Sequence, residues 1–219
     1  GTMIASKIGP EDLRRYRLWL EEHELSPNTV KHLLSDARCF LNWAVNAGYI
    51  DRSPFPKRLM PRIQERPPDR LTDAEVKAVS SISEPHGFVV RLALGTGLRW
   101  GELTRVKCSD VKDGVLLVYQ TKSTKMRRVP LPPDLLAELR NRVGMLNPFP
   151  VSDHFNRAVR LRSGVERFHA HQCRHTYACR WLERGGSLAA LQQILGHSTI
   201  VTTQRYARIS DDLVKAEAD

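Results

Sequence analysis

Six residues whose side chains can act on a phosphate ester occur in a fixed order along the sequence: Arg99, Lys122, His171, Arg174, His197 and Tyr206. A guanidinium is planar, always charged and able to donate two parallel hydrogen bonds to phosphate, so Arg99 and Arg174 suit an anionic centre. Held in advance around a phosphodiester, such cations stabilise the extra negative charge of five-coordinate phosphorus more than that of the ground state. A phenol of ordinary pKa, about 10, is a weak nucleophile at neutral pH. To attack, Tyr206 therefore needs neighbouring cations and a group that accepts its proton. Imidazole and ammonium side chains are the usual carriers of such protons. Arg99 stands in Thr96-Gly97-Leu98-Arg99-Trp100-Gly101-Glu102-Leu103, and Lys122 in Gln120-Thr121-Lys122-Ser123-Thr124-Lys125. His171 and Arg174 stand in His171-Gln172-Cys173-Arg174-His175, His197 in Leu195-Gly196-His197-Ser198, and Tyr206 ends Thr202-Thr203-Gln204-Arg205-Tyr206.

This ordered set resembles the tyrosine recombinases, or phage integrases, including their Xer-like members. The pattern there is Arg, Lys, His-x-x-Arg, His or Trp, then Tyr, and every position is filled here. The resemblance is strong over residues 72–208 and looser over 10–62, where it implies a helical core-DNA-binding domain. It implies that Tyr206 attacks phosphorus to give a 3′-phosphotyrosine and a free 5′-hydroxyl, with no metal and no cofactor. It also implies that His171 accepts the phenol proton, that His197 bonds the scissile phosphate and that Lys122 protonates the departing 5′-oxygen. Lys125, in the same turn, competes for that last role; counting back from Val129-Pro130-Leu131 favours Lys122. Glu102 follows Arg99 by three residues on one helical face, and the family pattern favours its orienting a catalytic base over its pairing with a neighbour. The implied partner is duplex DNA at a specific core site, engaged by four protomers on two duplexes. Accessory DNA-bending or directionality proteins are further candidate partners. A bacterial, archaeal or phage-encoded protein of the cytoplasm is expected. The length favours a simple recombinase or a compact phage integrase without an added arm-site domain. The rival readings are a type IB topoisomerase-like enzyme and a catalytically silent DNA-binding regulator.

Composition agrees with an anionic partner. The 219 residues carry 34 Lys+Arg and 24 Asp+Glu, a net charge of +10, and each phosphate contact made by such cations releases condensed counterions. The excess is spread along the chain, because residues 1–66 hold 11 basic and 8 acidic residues. No apolar run reaches the roughly 20 residues of a membrane-spanning helix. The four cysteines form no CxxC pair, so free thiols are expected. His169, His171, Cys173, His175 and Cys179 have spacings that suggest a metal cluster. Arg174 among them would oppose a cation, and no metal is expected. Tyr16, Tyr49, Tyr119 and Tyr177 are read as half-buried core residues, and His23, His32, His86 and His154 as surface or satisfied core residues.

The elements that must position these groups are mainly α-helical, with a small antiparallel sheet. Leu13, Tyr16, Leu18, Trp19 and Leu20 mark a first short helix. Ser26 caps a second, with Pro27 at its first position and Val30, Leu33, Leu34, Ala37, Phe40, Leu41 and Ala44 along one face. Gly48 ends it. Two such helices need a third or fourth to close a core. From residue 51 a proline-rich basic linker is expected, read either as a solvated connector or as a strap across DNA phosphates. Arg58, Arg62 and Arg66, with Lys125, are the candidate DNA contacts there and in the hairpin. The boundary between the N-terminal helical domain (1–66) and the catalytic domain (67–219) falls at the end of that linker. Thr72-Asp73-Ala74-Glu75 forms a capping box. Gly87–Leu94 reads as a helix broken at Gly95-Thr96-Gly97. Another helix starts near Arg99, where its amides would also attract phosphate. Gly114–Tyr119 and Arg128–Leu131 form a hairpin, and helices continue from Pro133. The stretch Ser210–Asp219 is a candidate for docking on a neighbouring protomer.

Overall fold

A computed structural model describes residues 7–63, 67–119 and 126–207. Arg66, Lys122, Lys125 and the stretch Ser210–Asp219 lie outside the described residues. The chain divides into two compact units, Gly1–Arg66 and Pro67–Asp219.

In the first unit, α1 (Pro10–Glu22) packs on α2 (Pro27–Asn46). Ser26 caps α2 as the sequence predicts, its hydroxyl accepting from the Thr29 amide at 3.1 Å. The buried face is Leu13 and Leu20 of α1 with Val30, Leu34, Leu41 and Ala44 of α2. Leu18, Trp19 and Phe40 point outward instead. Three consecutive residues such as Leu18, Trp19 and Leu20 span 200° of a helix and cannot share one face. The expected third helix is absent from the described residues. The proline-rich segment closes the core in its place: Leu59 is only 4% exposed, with Ile50, Phe55 and Met60 packed around it. Arg17 Nη1 fixes the strap by donating to the Leu59 carbonyl at 3.0 Å. Lys57, Arg58 and Arg62 remain exposed. The segment is thus neither a free connector nor purely a basic strap, because its apolar residues belong to the core.

The second unit is built around α4 (His86–Thr96), almost entirely buried, and α8 (Ala170–Glu183). α3 (Asp73–Ser80) opens it on the expected capping box, with the Thr72 amide donating to Glu75 Oε2 at 2.8 Å. α5 (Trp100–Leu103) is a single turn. β1 (Val111–Lys112), β2 (Val115–Tyr119) and β3 (Met126–Pro130) form an antiparallel sheet in that order, with Leu116 opposite Val129 and Val118 opposite Arg127. α6 (Pro133–Leu139), α7 (Ser152–Ser163), α9 (Leu188–Leu195) and α10 (Ile200–Ala207) complete it. No described helix is long and apolar enough to cross a membrane. Tyr49 and Tyr119, expected to be half buried, are 65% and 60% exposed.

Candidate active site

The site is built on the C-terminal end of α9. The last carbonyls of a helix have no partner within it, and they carry the negative end of its dipole. Here three arginines take them. Arg127 Nε donates to the Ile194 carbonyl at 2.7 Å. Arg174 Nη2 donates to Leu195 O at 2.8 Å. Arg99 reaches Leu195 O at 3.3 Å and Gly196 O at 3.4 Å. Arg99 and Arg174 therefore share one carbonyl, which holds two like charges side by side, an arrangement that an anion relieves.

Arg174 is 2% exposed, on the inward face of α8. Its Nη1 donates to the Gly97 carbonyl at 2.7 Å. Gly97 ends α4 in the left-handed region at φ 63°, and a Cβ there would lie 2.7 Å from Tyr177 Cδ1. Any side chain at 97 would both strain the turn and displace this anchor. Gly95 and Thr96 stay inside α4, so the break comes at Gly97 alone. Burial, then repulsion from Arg99, brings the Arg174 pKa down to about 10, which leaves it charged at neutral pH.

Among the described residues Glu102 pairs with two arginines, the neighbour-pairing alternative of the two readings. Its carboxylate is buried and accepts from Arg127 Nη1 and Nη2 at 2.8 and 2.7 Å. It also accepts from the Arg99 amide at 2.8 Å and from Arg99 Nη1 at 3.2 Å. Glu102 thus positions Arg99. The Arg99 amide is consumed by this bond and is not free for phosphate. Arg127 is a site residue that the motif reading missed. The period-2 alternation of β3 carried its signal: counting back from buried Val129 puts Arg127 on the inward face.

His197 follows α9 past Gly196. Arg174 Nη2 donates to its Nε2 at 2.8 Å. Nε2 must then be unprotonated, so the neutral ring carries its proton on Nδ1 and donates to Thr203 Oγ1 at 2.9 Å. Burial and the Arg174 charge push its pKa down to about 4.

Thr203 and Tyr206 lie three residues apart on α10 and are both buried. The Tyr206 ring joins a core cluster with Ala178, Leu182, Leu191 and Leu195. Its hydroxyl meets His175 Nδ1 at 2.9 Å. Burial raises the phenol pKa, and Arg174 opposes that rise. His171 and His175 share one face of α8, their rings edge to face with centroids 4.6 Å apart. His171 stands at an exposed position, yet desolvation and the Arg174 charge hold its pKa below the ordinary imidazole value. Among the described residues it makes no hydrogen bond to Tyr206; His175 does. His175 was visible in the sequence only as a spacing for metal. Cys173, of the same set, is buried in the core and turned away from such a role.

Arg99, Arg174, His197, His171 and Tyr206 thus converge within the second unit, from α5, α8, the α9–α10 turn and α10. A unit with this fold and this cluster is of the class that presents a tyrosine beside paired guanidiniums. The second unit matches the phage integrase family over residues 69–147 and 140–212, and residues 5–60 match the phage integrase SAM-like domain. The chain belongs to the phage integrase family, the tyrosine recombinases. It is 28% identical to a tyrosine recombinase of Thermosipho africanus, over 84% of this chain and 72% of that one. It is 27% identical to the tyrosine recombinase XerC of Bacillus subtilis, over 94% of this chain and 78% of that one. Among solved structures, the catalytic domain of bacteriophage HP1 integrase is 30% identical, with a TM-score of 0.56 over 68% of this chain and 92% of that one. The Tn1549 transposon integrase in complex with circular intermediate DNA shares the fold at a TM-score of 0.76 and 23% identity, over 100% of this chain and 87% of that one.

Proposed function

We propose that this protein is a site-specific DNA recombinase that cuts and rejoins duplex DNA through a 3′-phosphotyrosine formed by Tyr206. The observation that carries the reading is the pairing of Arg99 and Arg174 on one carbonyl beside a buried tyrosine. The names of the relatives, recombinases and integrases, support it over a topoisomerase-like or silent relative. Arg174 uses three of its five N–H groups at rest, so two remain for a non-bridging oxygen, and Arg99 is the more exposed of the pair. An incoming phosphodiester offsets their repulsion. Its negative charge also favours the protonated form of His197, which can then turn Nε2–H from its place beside Arg174 to the phosphate. His171, at the exposed edge of the cluster, suits a second such contact. Cleavage conserves the phosphoester as a protein–DNA bond, so rejoining needs neither ATP nor metal. Two cuts on each of two duplexes call for four protomers.

The direct test is recovery of a covalent protein–DNA adduct that survives denaturation, followed by sequencing of the trapped DNA to give the core site. Absence of any adduct across genomic fragments sinks the reading.

Lys122 tests the leaving-group half. Lys122→Ala should form the adduct with an ordinary phosphodiester about 10²-fold more slowly or worse, in the range a general acid contributes. With sulfur bridging at the 5′ position the leaving group is a thiolate, whose conjugate acid has a pKa of about 8.5, and it departs without a proton. That substrate should restore the variant nearly to the wild-type rate. Lys125→Ala should cleave both substrates normally; rescue of Lys125→Ala instead identifies Lys125 as the acid.

Binding tests the basic strap. Lys57, Arg58 and Arg62 face outward while Leu59 is buried. Neutralising Arg58, Arg62 and Arg66 together should flatten the log–log salt dependence of DNA binding by about 2 to 3, near 0.9 for each lost phosphate contact. An unchanged slope means that these residues do not touch phosphate.

A further inference from the structure

We propose that His175, rather than His171, takes the Tyr206 phenol proton as the tyrosine attacks and returns it when the strand is rejoined, an inference that rests on the strand-transfer reading above. The proton on Tyr206 Oη has one acceptor within reach among the described residues, His175 Nδ1 at 2.9 Å. The other two imidazoles of the cluster are placed for other work. Both ring nitrogens of His197 are engaged, by Arg174 and Thr203, and its ring lies parallel to that of Tyr206 with centroids 6.4 Å apart. His171 packs its ring against His175 rather than against the phenol.

His175 sits deep enough to be held in register. It is one turn beyond His171 on α8, and α10 lays Tyr206 across it with ring centroids 5.6 Å apart. The charged and titratable groups facing it are His171, His169 and Arg174, with Asp69 from the segment before α3 and Tyr206 from α10. Burial first, and then His171, His169 and Arg174, push its pKa down to about 4, so the ring is uncharged at neutral pH, and its Nε2–H tautomer presents the Nδ1 lone pair to the phenol. The phenol pKa is raised, so the proton does not move in advance of attack. It moves as the Tyr206 Oη–P bond forms and the phenol oxygen loses its basicity.

The proton and bond count closes. Oη forms a bond to phosphorus and gives its proton to His175 Nδ1. The P–O5′ bond breaks, and the 5′-oxygen leaves with its electron pair and takes a proton from Lys122. Rejoining reverses each transfer: the 5′-hydroxyl attacks, its proton returns to Lys122, and the imidazolium of His175 protonates the departing Tyr206 oxygen.

The test uses the full chain on two DNA substrates carrying the sequence recovered from wild-type adducts. One is a nicked suicide duplex, which reads cleavage by Tyr206. The other is a strand ending in a 3′-p-nitrophenyl phosphate, beside an acceptor strand with a 5′-hydroxyl. Joining there expels p-nitrophenolate and needs no tyrosine and no acid for the leaving group. His175→Ala should form the covalent adduct about 10²-fold or more slowly than wild type, the usual worth of a proton carrier. It should still join the activated strand within about 3-fold of wild type, which also shows that the site has folded. His175→Asn presents an amide oxygen near the position of Nδ1 and keeps the hydrogen bond without taking a proton; it should remain as slow as His175→Ala. Three results overturn the proposal: normal cleavage by His175→Ala, equal loss on both substrates, or recovery of cleavage in His175→Asn, which reduces His175 to a positioning residue. If the wild type itself forms no adduct, the recombinase reading has failed rather than the assignment of His175.

Discussion

Tyr206→Phe should bind core-site DNA with near wild-type affinity and form no covalent adduct at any time of incubation. The substitution removes one oxygen and leaves the ring. That ring carries the packing against Ala178, Leu182, Leu191 and Leu195, so the α8–α9–α10 cluster should survive. What is lost structurally is one hydrogen bond to His175, with a net cost of about 1 kcal/mol. Removal of the proposed nucleophile should by contrast be absolute, because no other described hydroxyl occupies its place beside His175. Arg99 and Arg174 keep their contacts to α9, and His197 its bond to Arg174, in the variant, so phosphate binding should persist. Gel shift and denaturing electrophoresis on the same samples separate the two effects. An adduct that survives denaturation in the phenylalanine variant would assign the nucleophile elsewhere.

The Glu102–Arg127 pair should produce the largest effect on stability. Both side chains are buried and joined by two hydrogen bonds. Glu102→Gln leaves the Arg127 guanidinium buried without a counter-charge, and removing one partner of such a pair costs about 3–5 kcal/mol. Burial alone would raise the Glu102 pKa, but Arg127 and the Arg99 amide outweigh it, and the carboxyl is held below its ordinary value. A depressed carboxyl pKa adds stability above the unfolded-state pKa of about 4.3, and that stability is lost as pH falls through the folded value. The difference in stability between wild type and Glu102→Gln should therefore be flat from neutral pH to about 5 and shrink only in more acidic solution. Chemical denaturation at several pH values measures this directly. The double variant Glu102→Leu/Arg127→Met removes both charges and should regain most of the lost stability. It should still cleave poorly, because Arg99 has lost the carboxylate that fixes its amide and its guanidinium. Recovery of full activity in the double variant would mean that Glu102 and Arg127 serve folding alone.

These two cases mark the reach of the sequence. The order Arg99, Lys122, His171, Arg174, His197, Tyr206 identified the family because types and spacings are one-dimensional information. The Ser26 and Thr72 caps and the hairpin pairing were legible for a related reason. A cap is closed by residues three apart, and a short hairpin pairs neighbouring segments, so few alternative partners compete. The proline-rich segment was read from composition, which reports stiffness and charge but not which of its apolar residues meet a neighbouring helix. Leu59 and Phe55 complete the first core only because α1 and α2 leave one side open.

Within the site, the sequence determined which chemical groups are available, and the tertiary structure decided which of them touch. Glu102 and Arg127 are 25 residues apart, on a helical turn and a strand, and no periodicity joins those elements. The anchoring of Arg99, Arg127 and Arg174 on the end of α9 depends on carbonyls, which every residue type carries equally and no motif can display. His171 and His175 are four apart on α8 and share a face, so helical spacing ranks them alike. The depth at which α10 packs across that face sets Tyr206 against His175. Contacts of this kind are fixed by the packing of elements far apart in the chain, whereas the identity of the reacting groups is fixed residue by residue.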